Sequence, residues 1–304
     1  YRNMIELLDI AKLLENIFLI IALVSFILFF FPTKLRKYFG IAAWTALIIG
    51  LFTLLPELIL VEGNIIYPFL IVFSVLLLII GIRHLLKETP AMMDFTRAGG
   101  VFCILYVPFA IFKPLGDWLI GTVIFWIKQV FNATGFEYYT VSETSPYYAD
   151  YWNYFFSVPA DQFLYAGGGY GDEIVLGCTG ITAIALLVAV VFLAHTSWIK
   201  KLGLILLVSV PIYIINIFRN VFVISAYFGQ WFPWFEEWFT GNPIPGFASY
   251  FWSHNVMCEG GAFLVIILLA VLLFKFSPGV LSTVKDIVFL FVDEIKALLR
   301  GKKA

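Results

Sequence analysis

The 304 residues are 62% hydrophobic and 13% charged, with a mean hydropathy of +0.97 and a formal net charge of −1. Ordinary soluble domains carry about 25% charged residues, so the composition excludes a soluble globular protein and predicts an integral membrane one. The balanced charge argues against nucleic acid as a partner. Three cysteines, Cys103, Cys178 and Cys258, are too few and too scattered for a disulfide framework or a CxxC metal site.

Residues 1 to 12 are mildly amphipathic and suit an interface. A first span is predicted from about 13 to 31, close to the roughly 20 residues a bilayer requires, and reads as a span, not a cleavable signal peptide. It stops at the cationic stretch Pro32 to Tyr38. Further spans follow at about 39 to 61, ending in the turn Glu62 to Asn64, then at Ile65 to Ile82 and Gly99 to Phe112. The segment Gly116 to Phe131 would be a helix of about 22 Å, shorter than a 30 Å hydrocarbon core, and carries Asp117 and Lys128. It is read as an interfacial helix.

Residues 132 to 172 are dense in aromatic side chains and include the sequon Asn132-Ala-Thr, which suits an extracytoplasmic loop at headgroup level. A small strand or loop cap is expected there. The fifth span is predicted at about Gly177 to Ala194 and the sixth at Leu204 to Phe228. A second aromatic loop, 229 to 253, leads to the last span, His254 to Phe276. The fold class is therefore all-α and polytopic, with about seven transmembrane helices, eight if 116–131 also crosses, and a small aromatic cap. One transmembrane catalytic domain, 1–276, carries extracytoplasmic insertions at 113–176 and 229–253, and 277–304 forms a cytoplasmic amphipathic tail.

Lysines and arginines outside the spans divide fourteen to four between the two sides, Arg219 being left inside a span. The positive-inside rule then orients the N-terminus outside and the C-terminus in the cytoplasm. Cys178, Arg219 and His254 fall at one level near the outer surface. His84 and His195 fall at the opposite ends of their spans, beside basic residues, where interfacial anchoring explains them.

Taken alone, Cys178 reads as a small buried residue. Arg219 is harder to explain away, since a cation within a span costs roughly 2.5–3.5 kcal/mol on insertion scales. Asn216 and Asn220 flank it, which suggests a lined cavity. The three types together suit acyl transfer. A thiol in the first turn of a helix, near a histidine, is favoured as thiolate, a desolvated arginine stabilises an oxyanion, and an imidazole shuttles the leaving and incoming protons. Asp172 and Glu173 would oppose thiolate formation if they faced Cys178, and otherwise suit interfacial solubility or gripping a substrate cation.

The motifs Cys-Thr-Gly-Ile from Cys178, Pro211 to Asn220 with its Arg-Asn end, and His254 after an aromatic loop resemble the exosortase/archaeosortase family of membrane transpeptidases. The resemblance implies Cys178 as nucleophile, Arg219 as electrostatic stabiliser and His254 as the third member, a position held by Arg in some of the family. It also implies the substrate: C-terminal sorting signals of surface proteins such as S-layer glycoproteins, each a short Pro-Gly-Phe type motif, a membrane helix and a basic tail. The acceptor it implies is a lipid amine such as archaetidylethanolamine. Asn216, Asn220 and Glu173 are assigned to substrate binding from their own placement, and no cofactor or metal is expected. The competing reading is a transporter of a small anionic solute with Arg219 lining the path. A zinc metalloprotease is disfavoured because no HExxH pair is present.

Overall fold

The structure, a computed structural model, describes residues 2–60, 66–140, 162–165, 170–242 and 244–300. The turn at Glu62–Asn64, the glycines Gly167–Gly169 and the middle of the first aromatic loop lie outside the described residues. The described residues are all-α apart from one small sheet. Among the described residues, five helical stretches are long and apolar enough to cross a bilayer: Ile10–Phe29, Pro68–Leu86, Pro90–Ile111, Trp198–Phe228 and Phe247–Phe276.

The other predicted spans differ in length, for local reasons. The second gives helix α2 (Arg36–Thr53) and then a separate short α3 (Leu55–Leu60). Pro56, which has no N–H to donate back to Phe52, accompanies the break. The fifth gives only α7 (Ile181–Val191). Its start is delayed by Gly180, held at φ 76°, and its end tightens into three-residue turns, with Leu193 and Ala194 N–H donating to the Val190 and Val191 carbonyls. In contrast, α6 (Lys113–Thr134) is longer than the interfacial helix expected. Pro114 opens its first turn and Gly135, at φ 71°, closes its last, so its 22 residues extend about 33 Å.

The chain divides into two compact units. The first comprises Tyr1–Ile111, Ala185–Ile205 and Leu273–Ala304. In it α1 (Arg2–Phe29), α2, α5 (Pro90–Ile111) and the amphipathic α11 (Pro278–Leu299) pack through an aromatic chain, and α4 (Ile66–Leu86) packs on α2. Phe26 meets the edge of Trp44, Trp44 stacks on Phe95 at 4.8 Å, and Phe95 meets Phe291 of α11. The indole N–H of Trp44 is satisfied by Thr96 Oγ1 at 3.0 Å. Such close packing needs Gly99, where a Cβ would come within 2.7 Å of the Trp44 ring. His84 also joins α4 to α11, through Glu294 at 3.1 Å.

The second unit comprises Phe112–Ile184 and Leu206–Leu272. Its sheet runs β1 (Tyr138–Thr140), β2 (Gln162–Tyr165), β3 (Gly171–Glu173), antiparallel throughout, with Tyr138 opposite Tyr165 and Phe163 opposite Asp172. Sheets this small need a hydrophobic floor. Phe163 provides it by packing, fully buried, onto Phe131 of α6 and Tyr138. The core continues through Ile174 to Ile224, Tyr227 and Phe228 of α8 (Trp198–Phe228). The second aromatic loop exposes Trp231, Trp234, Phe235 and Trp238, the pattern expected at a headgroup layer. The chain then runs as one helical stretch: α9 (Phe247–Tyr250), a π-helix (Phe251–Cys258) and α10 (Glu259–Phe276).

Because Phe131 anchors sheet to helix, Phe131→Ala should leave a cavity costing about 3–5 kcal/mol. Thermal unfolding in detergent should show a drop of several degrees, and an unchanged midpoint would refute the anchoring role.

Candidate active site

Cys178 sits in a 3-10 turn, Leu176–Thr179, and not in the first turn of α7 as the sequence predicted. Its N–H donates to the Val175 carbonyl at 2.8 Å, and Thr179, fully buried, donates its hydroxyl to Leu176. Gly180 follows in the left-handed region, and its carbonyl accepts the first helical bond, from Ile184. The thiol therefore stands outside the helix proper, where the helix dipole acts less strongly.

Two amides hold this turn. Asn216 Nδ2 and Asn220 Nδ2, four residues apart on one face of α8, both donate to the Cys178 carbonyl, at 2.6 and 2.8 Å. Both are buried. The fit depends on Gly180, since a Cβ there would press within 3.3 Å of the Asn216 side chain.

Arg219, on α8 between them, is half-buried and serves as the shared partner of the site. It donates from Nη1 to Asn220 Oδ1 at 3.3 Å, and its Nη2 lies 3.1 Å from His254 Nε2. Its charge also reaches the Cys178 thiol. A guanidinium only donates, so His254 Nε2 accepts. The proton of the neutral ring then lies on Nδ1, which donates to Asn255 Oδ1 at 2.8 Å. Tyr250 stacks on the imidazole, centroids 4.9 Å apart and planes 12° apart, and meets Tyr227 edge-on.

The π-helix sets the position of His254. Its bonds close between residues five apart, and the N–H of Glu259 donates to the His254 carbonyl. No periodicity in the sequence announces this turn. Nor did the sequence single out Tyr250 or Asn255.

Asp172, in the middle of β3, is the acidic neighbour. Burial pushes its carboxyl up to about 7, against the N–H of Glu173 and the charge of Arg219, which act the other way. Its charge reaches Cys178, so the carboxyl the sequence flagged does lie near the thiol. Glu173, half-buried beside it, pairs with Gln162 in the sheet. Among the described residues, no group of three or more His, Cys, Asp or Glu is placed to hold a metal ion.

These features define a polytopic α-helical membrane protein in which a thiol, a guanidinium and an imidazole share one site. The family model of transmembrane exosortases (Exosortase_EpsH) matches residues 11–250, and the chain belongs to that family. It is similar to Archaeosortase A of Natronomonas pharaonis, 23% identical over 258 residues, which are 81% of this chain and 77% of that protein. It is also similar to Archaeosortase A of Haloferax volcanii, 25% identical over 140 residues, 44% of this chain and 46% of that one. No solved structure matches. Membership makes the chain a multi-pass, membrane-embedded sorting enzyme of the transpeptidase type.

Two expectations follow from the geometry. Asn216→Ala or Asn220→Ala removes one of two donors and should cost about 1 kcal/mol. The double variant leaves a carbonyl unpaired and should lose more than the sum, measured as the thermal midpoint and the rate of reporter cleavage; strict additivity would contradict the shared-acceptor geometry. For Asp172 the sign is fixed by its raised value. Below its ordinary 3.8 both folded and unfolded chains carry the proton. As pH rises the unfolded chain releases it first, so stability is lost progressively until pH passes about 7. Asp172→Asn, which cannot ionise, should flatten the thermal midpoint across that window, and an unaltered slope would count against a buried carboxyl.

Proposed function

We propose that this exosortase is a cysteine transpeptidase in which Cys178 attacks, Arg219 stabilises and His254 moves protons. The observation that carries the reading is the Arg219 guanidinium, bonded to the His254 imidazole, with its charge also reaching the Cys178 thiol.

Of the five guanidinium N–H donors, one bonds Asn220 and one bonds His254, which leaves others for the thiol and for an incoming carbonyl. When a substrate carbonyl arrives, Arg219 turns toward it and frees His254 Nε2. The Cys178 proton passes to that nitrogen, and the thiolate attacks the carbonyl carbon. The resulting oxyanion is held by a desolvated cation, worth more there than in water. Collapse breaks the C–N bond, and His254 returns the proton to the leaving amine. A second amine then attacks the thioester by the reverse sequence, giving an amide and the free thiol. Asn216 and Asn220 fix the backbone of the nucleophile, and Glu173 grips the substrate.

The substrate is the C-terminal sorting signal of a surface protein, such as an S-layer glycoprotein, with a Pro-Gly-Phe type motif, a membrane helix and a basic tail. The acceptor is a membrane lipid amine such as archaetidylethanolamine. The site faces the extracytoplasmic side, with the N-terminus outside and the C-terminus in the cytoplasm, an arrangement supported by the excess of lysine and arginine on the opposite side.

A reporter carrying such a tail tests the chemistry. Cys178→Ala should lower cleavage at least about 10³-fold. Arg219→Lys keeps the charge but loses the fork, and should lower cleavage about 10²-fold with little change in reporter binding. Undiminished processing by Cys178→Ala would end the reading.

A further inference from the structure

The span Phe247–Phe276 carries one carboxylate, Glu259, that the proposed chemistry does not use. It is exposed and, among the described residues, makes no hydrogen bond or ion pair through its side chain. A carboxylate in an apolar helix is costly, and such residues mark functional positions by default.

Its placement follows from the π-helix. With the Glu259 N–H bonded to the His254 carbonyl, the two residues stand one above the other, whereas in an α-helix a spacing of five would turn them apart. The charge of Glu259 reaches the His254 ring. Gly260 and Gly261 follow, and a Cβ on either would meet nothing within 4 Å, so the surface beside the carboxylate is open.

Depth narrows the ligand. The next charge along the helix is Lys275, sixteen residues and about 24 Å away. With a hydrocarbon core of about 30 Å, a lysine at one boundary sets Glu259 just inside the other. Its side chain leans toward the helix N-terminus and therefore toward His254 and the headgroups. A partner that reaches this carboxylate from the bilayer must be cationic at its head and apolar below.

We propose that Glu259 is the recognition carboxylate for the primary ammonium headgroup of the acceptor lipid. The inference rests on the transpeptidase reading. The headgroup docks on Glu259 as ammonium and passes one proton to His254 Nε2. The neutral amine attacks the Cys178 thioester, so that a C–N bond forms and the C–S bond breaks. His254 releases that first proton to solvent, takes the second from the attacking amine and returns it to the departing thiolate. Glu259 also disfavours anionic nucleophiles, which its charge repels.

Two measurements test this. In the first, the full-length Cys178→Ala protein is examined by native mass spectrometry with an ethanolamine lipid and with a choline lipid of the same chains. Adding Glu259→Gln should reduce retained ethanolamine lipid at least fivefold, Glu259→Asp should restore it, and choline lipid should not respond. Equal retention with and without the carboxylate, or equal loss of both lipids, overturns the proposal. In the second, the protein with native Cys178 in nanodiscs partitions a cleaved reporter between water and an amine. Glu259→Gln should lower the ratio of lipid transfer to hydrolysis at least tenfold and leave the ratio for hydroxylamine, a soluble amine, unchanged. A parallel fall with hydroxylamine would assign Glu259 to the chemistry and refute a lipid-recognition role. Should native Cys178 show no transfer at all, the transpeptidase reading fails, while the binding measurement still decides the fate of Glu259.

Discussion

One guanidinium governs the second unit. Arg219 lies in a helix apolar enough to cross a bilayer, where an unsupported cation costs roughly 2.5–3.5 kcal/mol on insertion scales. The fold offsets that cost with acceptors from two elements, Asn220 on its own helix and His254 on the π-helix, and with the nearby carboxyl of Asp172. The same partners make the site. Removing the cation would leave His254 Nε2 and Asn220 Oδ1 without their donors, so the arrangement that tolerates Arg219 also depends on it.

The backbone around the thiol is organised by a different rule. A loop carbonyl normally turns to solvent, but that of Cys178 is turned inward and saturated by two amides. Gly180 permits this because its left-handed φ reverses the chain without a side chain to collide with Asn216. Cys178 is thus placed by its main chain, and on the proposed chemistry its side chain is left for the attack. A thiol stationed before the helix gains less from the dipole than one in the first turn.

Much of this was legible in the residues. Composition revealed the membrane class, and the expense of Arg219 in an apolar run, together with Cys178 and His254 at the same level, pointed to the three side chains the structure brings together. Three features were not legible. That Asn216 and Asn220 would turn to one carbonyl instead of an open cavity depends on the shape of a loop from another part of the chain. The π-helix has no period of its own in a run as uniformly apolar as the last span, so nothing in the sequence singled out Glu259. The length of α6 was underestimated because apolar count measures burial, whereas its ends are set by Pro114 and Gly135, which act on backbone geometry.

The contacts also bear on when the site is active. In the resting geometry the lone pair of His254 Nε2 is occupied by Arg219, so the base is masked. On the proposed chemistry a substrate carbonyl unmasks it by drawing the guanidinium away, and the positive ring formed on proton uptake then repels Arg219 toward the oxyanion. Base release and oxyanion stabilisation are thereby coupled through one side chain. Water entering alone carries no carbonyl to trigger the exchange, which protects the thiol between turnovers. After acylation, however, the thioester carbonyl itself keeps Arg219 displaced. From then on His254 is free to serve any nucleophile present, and the choice between water and amine passes from the Cys-Arg-His set to whatever concentrates the amine beside it.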